Sequence, residues 1–174
     1  MELKKFTRLS MLLALSVVLN ILESFIPFLD GSIPGIKIGL ANIVILFTLY
    51  YYSFKDALYV SIIRVFLVGI LRTGLFSLSF FFSLSGAFLS IIVMFLAKKI
   101  TRLSIIGVSI LGSISHSIGQ IIIAVFIVQN TNVIYYLPWI LLFSIPSGIL
   151  VGFASKELFH QISKKVDQTA FQIK

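Results

Sequence analysis

Long apolar stretches separated by short polar segments run along the whole chain. A bilayer core about 30 Å thick needs roughly 20 apolar residues in a helix. The pattern predicts six membrane-spanning helices, at about residues 7–28, 38–52, 57–73, 76–97, 103–128 and 135–159. The intervening segments are too short for a soluble domain. We therefore predict one integral membrane domain over residues 1–174, an all-α bundle of six transmembrane helices.

Composition supports this fold class. Hydrophobic residues make up 59% of the chain, charged residues 11%, and the mean hydropathy is +1.10. A soluble domain is about 45–50% apolar and about 25% charged. The chain has no cysteine, which excludes disulfides, thiolate metal sites and cysteine nucleophiles. The basic start lacks a small-x-small cleavage site, so the first stretch is predicted to be a retained span.

The net charge of +8 is unevenly distributed. With six spans, one side of the membrane receives both termini and eleven of the 14 Lys and Arg residues: Lys4, Lys5, Arg8, Lys55, Lys98, Lys99, Arg102, Lys156, Lys164, Lys165 and Lys174. Because basic residues gather in cytoplasmic loops, both termini are predicted to be cytoplasmic. Contact with anionic lipid headgroups explains the charge without nucleic acid as a partner.

Arg64 and Glu23 are charged residues within predicted spans. A central Arg costs about 2.5–3.5 kcal/mol on insertion scales, and Arg64 lies near the middle of its span. It is either a packing device paired with a carbonyl or acid, or an anion-binding or gating charge. Glu23 shares a helix face with Asn20, three residues earlier. Arg64 and Arg72 are its plausible partners.

His116 and Gln120 are four residues apart and share a face of the fifth predicted span, near Gly112 and Gly119. This pattern fits an interhelical hydrogen bond at a close helix contact, or a pair that contacts a ligand. No metal site is expected, because the other histidine, His160, lies in the predicted cytoplasmic tail.

The segment "IPGIKIGLAN" joins the first two spans on the predicted outer side. Its Pro-Gly pair fits a turn that sends the chain back into the membrane. Lys37 then stands at the outer mouth, either as an interface anchor or as a charge that attracts an anion. We predict that polar side chains converge beneath this loop in a pocket with a basic rim: Glu23, Lys37, Asn42, Arg72 and Gln120.

Ser10, Ala14 and Val18 are spaced four apart on the first span. Small residues at this spacing form a flat strip against which another helix can pack. The strip is a candidate docking surface for a partner protein, and packing within the chain is the alternative.

These motifs resemble a bacterial membrane protein family described as heptaprenyl diphosphate synthase component I, and also as the Gx transporter family. The matching motifs are Glu23-Ser24, "PGIKIGLAN" at 34–42, Arg64, "LFS" at 75–77, "SLSG" at 83–86 and "HSIGQ" at 116–120. The resemblance covers about residues 5–160. By plan the family is similar to the substrate-binding S components of energy-coupling factor (ECF) transporters. It therefore implies six helices, an outward-facing pocket capped by the first loop, and a docking strip on the first helix.

The resemblance implies a substrate-binding subunit of an importer for a small cofactor-like or anionic solute. No G-x-x-x-x-G-K motif is present, so energy would come from a coupling subunit and ATPases in other chains. The first alternative is an accessory membrane subunit of isoprenoid or quinone synthesis. The second is a membrane component of a flavin or redox assembly. An enzyme is not predicted, because six scattered Asp and Glu residues offer no paired Asp-rich motif for Mg²⁺-diphosphate. No bound cofactor is predicted either.

Overall fold

A computed structural model describes residues 2–25, 38–100 and 103–172. Within these ranges the chain is helical and contains no strand, which confirms the all-α prediction. Its helices are α1 (Glu2–Glu23), α2 (Leu40–Tyr51), α3 (Phe54–Val68), α4 (Leu78–Ile100), α5 (Ile105–Val128) and α6 (Leu137–Gln172). A π-helical turn at Gly69–Thr73 follows α3, and a 3₁₀ helix at Thr131–Tyr136 precedes α6.

The helices in the described part of the chain fall into two groups by length. Four segments are long and apolar enough to cross a membrane: Leu3–Glu23, Leu78–Ile100, Ile105–Val128 and Thr131–Gln161. Helix α2 has 12 residues and α3 has 15. At 1.5 Å per residue these two span only about 18 and 22 Å, less than a hydrocarbon core of about 30 Å. The π-turn continues the α3 helix as far as Thr73.

Side-chain caps set where several helices begin. Ser53 Oγ accepts a 3.2 Å hydrogen bond from the Asp56 N–H at the start of α3, and Ser104 Oγ accepts one of 3.3 Å from the Gly107 N–H at the start of α5. Each bond satisfies a main-chain donor that has no partner within the helix. Gly39 precedes α2 with a φ of 82°, in the left-handed region that glycine adopts without strain.

Five helices form a closed ring. Helix α2 packs on α3 and α6, α3 on α4, α4 on α5, and α5 on α6, while α1 lies outside the ring against α2 and α3. Apolar side chains fill one half of the ring, from α2 (Ile45, Leu46, Leu49), α4 (Ile91, Met94) and α5 (Val108). A smaller apolar cluster of Val65, Phe80 and Ala87 lies between α3 and α4.

The filled half of the bundle is also its basic end. Lys5 Nζ lies 2.8 Å from Asp56 Oδ2 and joins the starts of α1 and α3. Lys98 Nζ donates a 2.9 Å hydrogen bond to the carbonyl of Leu49 and lies 4.6 Å from the ring centroid of Tyr50. The rings of Phe54 and Phe95, with centroids 4.5 Å apart, place the start of α3 beside the end of α4, as antiparallel packing requires.

Small residues bring α4, α5 and α6 close together. Ser85 Oγ donates to the carbonyl of Gly119 at 2.9 Å, and Ser90 Oγ to that of Gly112 at 2.8 Å. A Cβ on Gly119 would lie 2.8 Å from the carbonyl oxygen of Ser85. Such close backbone approach needs a residue without a side chain.

Candidate functional site

A polar cavity occupies the half of the ring away from the basic end. It has about 780 Å³ of space, including the part that is open to solvent. Polar side chains from all six helices line it, together with Thr73 of the π-turn. The polar lining residues are Asn20, Glu23, Asn42, Arg64, Thr73, Ser83, Ser113, His116, Ser117, Gln120, Ser144 and Ser147.

Arg64 is the cation in the wall of this cavity. It is only 4% exposed, and its Nη1 donates a 3.2 Å hydrogen bond to Asn42 Oδ1. Among the residues that the structure describes, its buried Nε has no hydrogen-bond partner. A buried donor without a partner costs about 1–3 kcal/mol. The guanidinium therefore has a strong remaining tendency to bind an acceptor.

The Glu23 side chain links the end of α1 to the start of α2. It is 3% exposed, its Oε1 accepts a 2.6 Å hydrogen bond from the Gly39 N–H, and its Oε2 accepts one of 3.1 Å from the Leu40 N–H. A carboxylate at this position complements the helix dipole and two main-chain donors. The sequence suggested Arg64 or Arg72 as its partner. In addition to its main-chain bonds, the carboxylate lies close enough to Arg64 to stabilise its positive charge.

Serine hydroxyls line the cavity on α5 and α6. Ser113 Oγ donates to the carbonyl of Ser144 at 2.7 Å and Ser117 Oγ to that of Ser113 at 3.2 Å. Ser144 Oγ donates a 2.9 Å hydrogen bond to the carbonyl of Leu141, and Ser147 Oγ donates to the carbonyl of Ile38. Each of these hydroxyls thus donates to a main-chain carbonyl. Its oxygen keeps lone pairs that can accept a hydrogen bond in the cavity.

His116 and Gln120 both line the cavity from α5. The imidazole packs against Gly86 of α4, where an added Cβ would lie 2.9 Å from His116 Nε2. Gln120 is 6% exposed, and its Oε1 has no hydrogen-bond partner within the described ranges. The close contact with a glycine of α4 and the cavity-facing position therefore occur together on α5.

One predicted member of the site has another position. Arg72 is exposed and is not among the lining residues, because its Nη2 donates to the carbonyl of Ser24 at 3.3 Å, outside the cavity. Lys37 lies outside the described residues. The ionisable side chains that line the described cavity are thus Glu23, Arg64 and His116. In the described part of the chain, no group of three or more His, Asp or Glu side chains could hold a metal ion.

The small-residue strip of α1 faces away from the bundle. Ser10 and Ala14 are exposed, and Val18 is 50% exposed. Ser16 and Val17 of the same helix are buried. Within the described structure, packing on another helix of this chain does not account for the strip.

Sequence reasoning missed Ser144 and Ser147 as members of the cavity wall. The two flank Pro146 within α6. Their signal was weak, because serine in an apolar helix is more often a packing residue. Only the position of α6 beside α2 and α5 shows that these serines reach the cavity.

Comparison with known proteins gives one family. The sequence model of the family described as heptaprenyl diphosphate synthase component I matches residues 12–158. No curated protein and no solved structure shows significant similarity to the chain. The match extends from α1 into α6 and includes every residue that lines the cavity. The chain belongs to the heptaprenyl diphosphate synthase component I family.

Proposed function

We propose that this protein is the substrate-binding membrane subunit of an importer, similar to an ECF S component. The observation that carries the proposal is the polar cavity around Arg64, enclosed by an otherwise apolar helix bundle. Ionisable residues within membrane segments generally mark binding sites or transport pathways, because they are costly to keep there.

The size of the cavity limits the solute. The cavity's volume of about 780 Å³, including the part open to solvent, lies within the range of small-molecule sites. A small cofactor-like or anionic solute therefore fits.

The proposed topology has six spans, with both termini in the cytoplasm of a bacterial cell. Helix α3 and its π-turn together provide 20 residues, enough to cross a bilayer of about 30 Å. In this orientation the basic end is cytoplasmic and the cavity lies in the outer half. The exposed strip at Ser10, Ala14 and Val18 then begins near the cytoplasmic side, where a coupling subunit and its ATPases would dock.

Native mass spectrometry of the gently purified protein tests the binding step. We expect a bound small molecule on the wild-type chain, loss of that molecule from Arg64→Ala, and retention by Arg72→Ala. Arg72 is the matched control because it is an exposed arginine outside the cavity lining. Uptake of the identified solute into vesicles should then require ATP and partner subunits. Equal occupancy of wild type and Arg64→Ala would contradict the proposal.

A second candidate function is a non-catalytic accessory subunit that holds a prenyl diphosphate for a synthase. An apolar pocket of about 730 Å³, including its open part, adjoins the polar cavity and shares Gln120 and Ile140 with it. Such a pair of sites suits a polar head and a hydrocarbon tail. The family description also favours this candidate. A rise in prenyl chain elongation when the protein is added to a soluble synthase would support it over the importer.

A further inference from the structure

We propose that the solute is amphipathic, with a polar head in the polar cavity and one short apolar group in the apolar pocket that adjoins it. This inference rests on the proposed function as a solute-binding subunit and specifies the chemical class of the solute. It follows from a change in the lining along two helices, from the burial of the apolar pocket and from its length.

The lining changes from polar to apolar along α5. Polar side chains from the middle of this helix line the polar cavity: Ser113, His116, Ser117 and Gln120. Gln120 also lines the apolar pocket, together with residues nearer the end of the helix: Ile121, Ala124 and Val128. Because residues three and four apart share a helix face, one side of α5 serves the polar cavity first and the apolar pocket next.

The same change occurs toward the start of α6. This helix lines the polar cavity with Ile140, Phe143, Ser144 and Ser147. Ile140, the nearest of them to the start of the helix, also lines the apolar pocket, and Val133 and Tyr136 of the 3₁₀ helix line only the apolar pocket. Since the 3₁₀ helix packs on α5 and α6, the apolar lining of both segments lies at one end of the polar cavity.

The apolar pocket is enclosed where it meets the polar cavity and open at its far end. Ile121 and Ala124 are each 6% exposed, whereas Val128 is 50% exposed and Tyr136 is 55% exposed. Removal of apolar ligand surface from water favours binding roughly in proportion to the area removed. The enclosed part therefore suits an apolar group that is attached to a head in the polar cavity.

Two buried polar atoms are available to that head. Arg64 Nε and Gln120 Oε1 have no hydrogen-bond partner among the residues that the structure describes, and both side chains line the polar cavity. A carboxylate or an amide oxygen accepts from a guanidinium N–H, and an amide N–H also donates to an oxygen. Gln120 stands where the head and the apolar group of the solute would join, because it lines both sites.

The length of the apolar pocket limits the apolar group. Gln120 and Val128 are eight residues apart, which corresponds to about 12 Å along a helix. The apolar group is therefore a short chain or a ring system of at most this length. A heptaprenyl chain is far longer, so this solute differs from the prenyl diphosphate of the second candidate function.

The dependence of binding on chain length tests the inference, with the full chain in lipid nanodiscs. The probes are straight-chain carboxylates from butanoate to dodecanoate and their primary amides, and empty nanodiscs measure the amount that dissolves in lipid. Affinity, expressed on the free aqueous concentration, should increase by up to about tenfold for each pair of added methylene groups. The increase should end near decanoate, because longer chains extend past Val128 into the open end of the apolar pocket.

Two neighbouring isoleucines separate the apolar pocket from the outer surface of α5. Ile121→Trp narrows the apolar pocket and should reduce the affinity for octanoate about tenfold more than the affinity for butanoate. Ile122→Trp is the matched control, since Ile122 is 49% exposed and is not among the lining residues. Ala124→Leu narrows the apolar pocket independently, and the melting temperature without ligand shows whether each variant folds.

A substitution of Arg64 tests the position of the head. Arg64→Gln should weaken binding of the carboxylates by about tenfold at every chain length, while the gain for each added methylene group remains. Arg72→Gln is the control, because Arg72 is an exposed arginine outside the cavity lining.

Three outcomes would overturn the inference. The first is an affinity that does not change with chain length in either probe series, as expected if an acyl chain of a membrane lipid fills the apolar pocket. The second is the same chain-length dependence in wild type and in both narrowed variants. The third is the retention of a solute without an apolar group in mass spectrometry. An increase in affinity that continues through dodecanoate would contradict the length limit.

These outcomes are distinct from failure of the proposed function. A solute that the wild type retains and Arg64→Ala loses would still support a binding subunit, whatever the result with the chain-length series. If no solute is retained and no probe binds, the binding function and the amphipathic solute are both rejected.

Discussion

Asn42 accepts a 3.2 Å hydrogen bond from Arg64 and thereby joins the first turn of α2 to the middle of α3 inside the bundle. The bond restrains a buried guanidinium and also orients the amide of Asn42. It therefore contributes both to stability and to the shape of the candidate site.

Asn42→Ala should lower the free energy of unfolding by about 1–3 kcal/mol, because it leaves a buried Arg64 donor without its acceptor. Thermal unfolding in detergent measures the change. Asn132→Ala is the control, since this asparagine is exposed in the 3₁₀ helix and should change stability by less than about 0.5 kcal/mol. Equal melting temperatures for Asn42→Ala and wild type would show that the bond contributes nothing to stability.

Glu23→Gln should destabilise the protein by about 1–2 kcal/mol. The amide keeps one acceptor for the Gly39 and Leu40 N–H groups, but it loses the charge that complements the α2 dipole and Arg64. The matched control is Glu157→Gln, an exposed acid whose hydrogen bond to Gln161 lies on the surface of α6. Equal melting temperatures for the two variants would show that the buried cap contributes no more to stability than a surface contact.

Gly119→Ala should separate α4 from α5 and cost about 1–3 kcal/mol. Its added Cβ would meet the backbone of Ser85 at 2.8 Å and that of Gly86 at 3.0 Å, and backbone atoms cannot move aside cheaply. At Gly107 of the same helix, the nearest atoms would be side-chain carbons of Leu103 at 3.4 Å. Gly107→Ala should therefore be neutral or stabilise by up to about 1 kcal/mol. Similar losses from both changes would contradict the close α4–α5 contact.

The Lys5–Asp56 ion pair should make part of the stability depend on pH. Partial burial raises the pKa of Asp56, but hydrogen bonds and positive charge from Lys5, with hydrogen bonds from Ser53, outweigh this and hold the pKa below its ordinary value of 3.8. A carboxylate with a lowered pKa stabilises the folded state above the unfolded-state pKa. The contribution is lost as pH falls through the folded-state pKa.

We therefore expect Asp56→Asn to be less stable than wild type at pH 7, by about 0.5–1 kcal/mol because Lys5 is half exposed. The difference should shrink as pH falls below about 4. Melting curves of both proteins over this pH range provide the measurement, with Lys4→Gln as a control for removal of an exposed charge near the same end. A constant difference at all pH values would exclude the ion pair as its cause.

Local physics made much of the fold predictable. Long apolar stretches dictate helices, because in lipid each backbone polar group needs a partner within its own segment. The helical class follows from this alone. Caps set helix starts that the apolar pattern does not mark: α3 begins at Phe54, because Ser53 satisfies its first turn. The sequence also identified Arg64, Glu23, His116 and Gln120 as out of place in apolar segments.

Helix packing decided which of those polar residues contact one another. Sequence analysis offered both Arg64 and Arg72 as candidate site residues, yet of the two only Arg64 lines the cavity. Helix α3 turns Arg64 toward Asn42, while the π-turn directs Arg72 to the end of α1. Likewise, nothing local separates the serines of the α6 wall from ordinary packing serines. The sequence by itself thus determined the helices and the residues that are costly in a membrane, through hydrophobicity and backbone hydrogen bonding. Only the tertiary structure decided which of these residues share a cavity, because that depends on how helices distant in sequence rotate and pack around the ring.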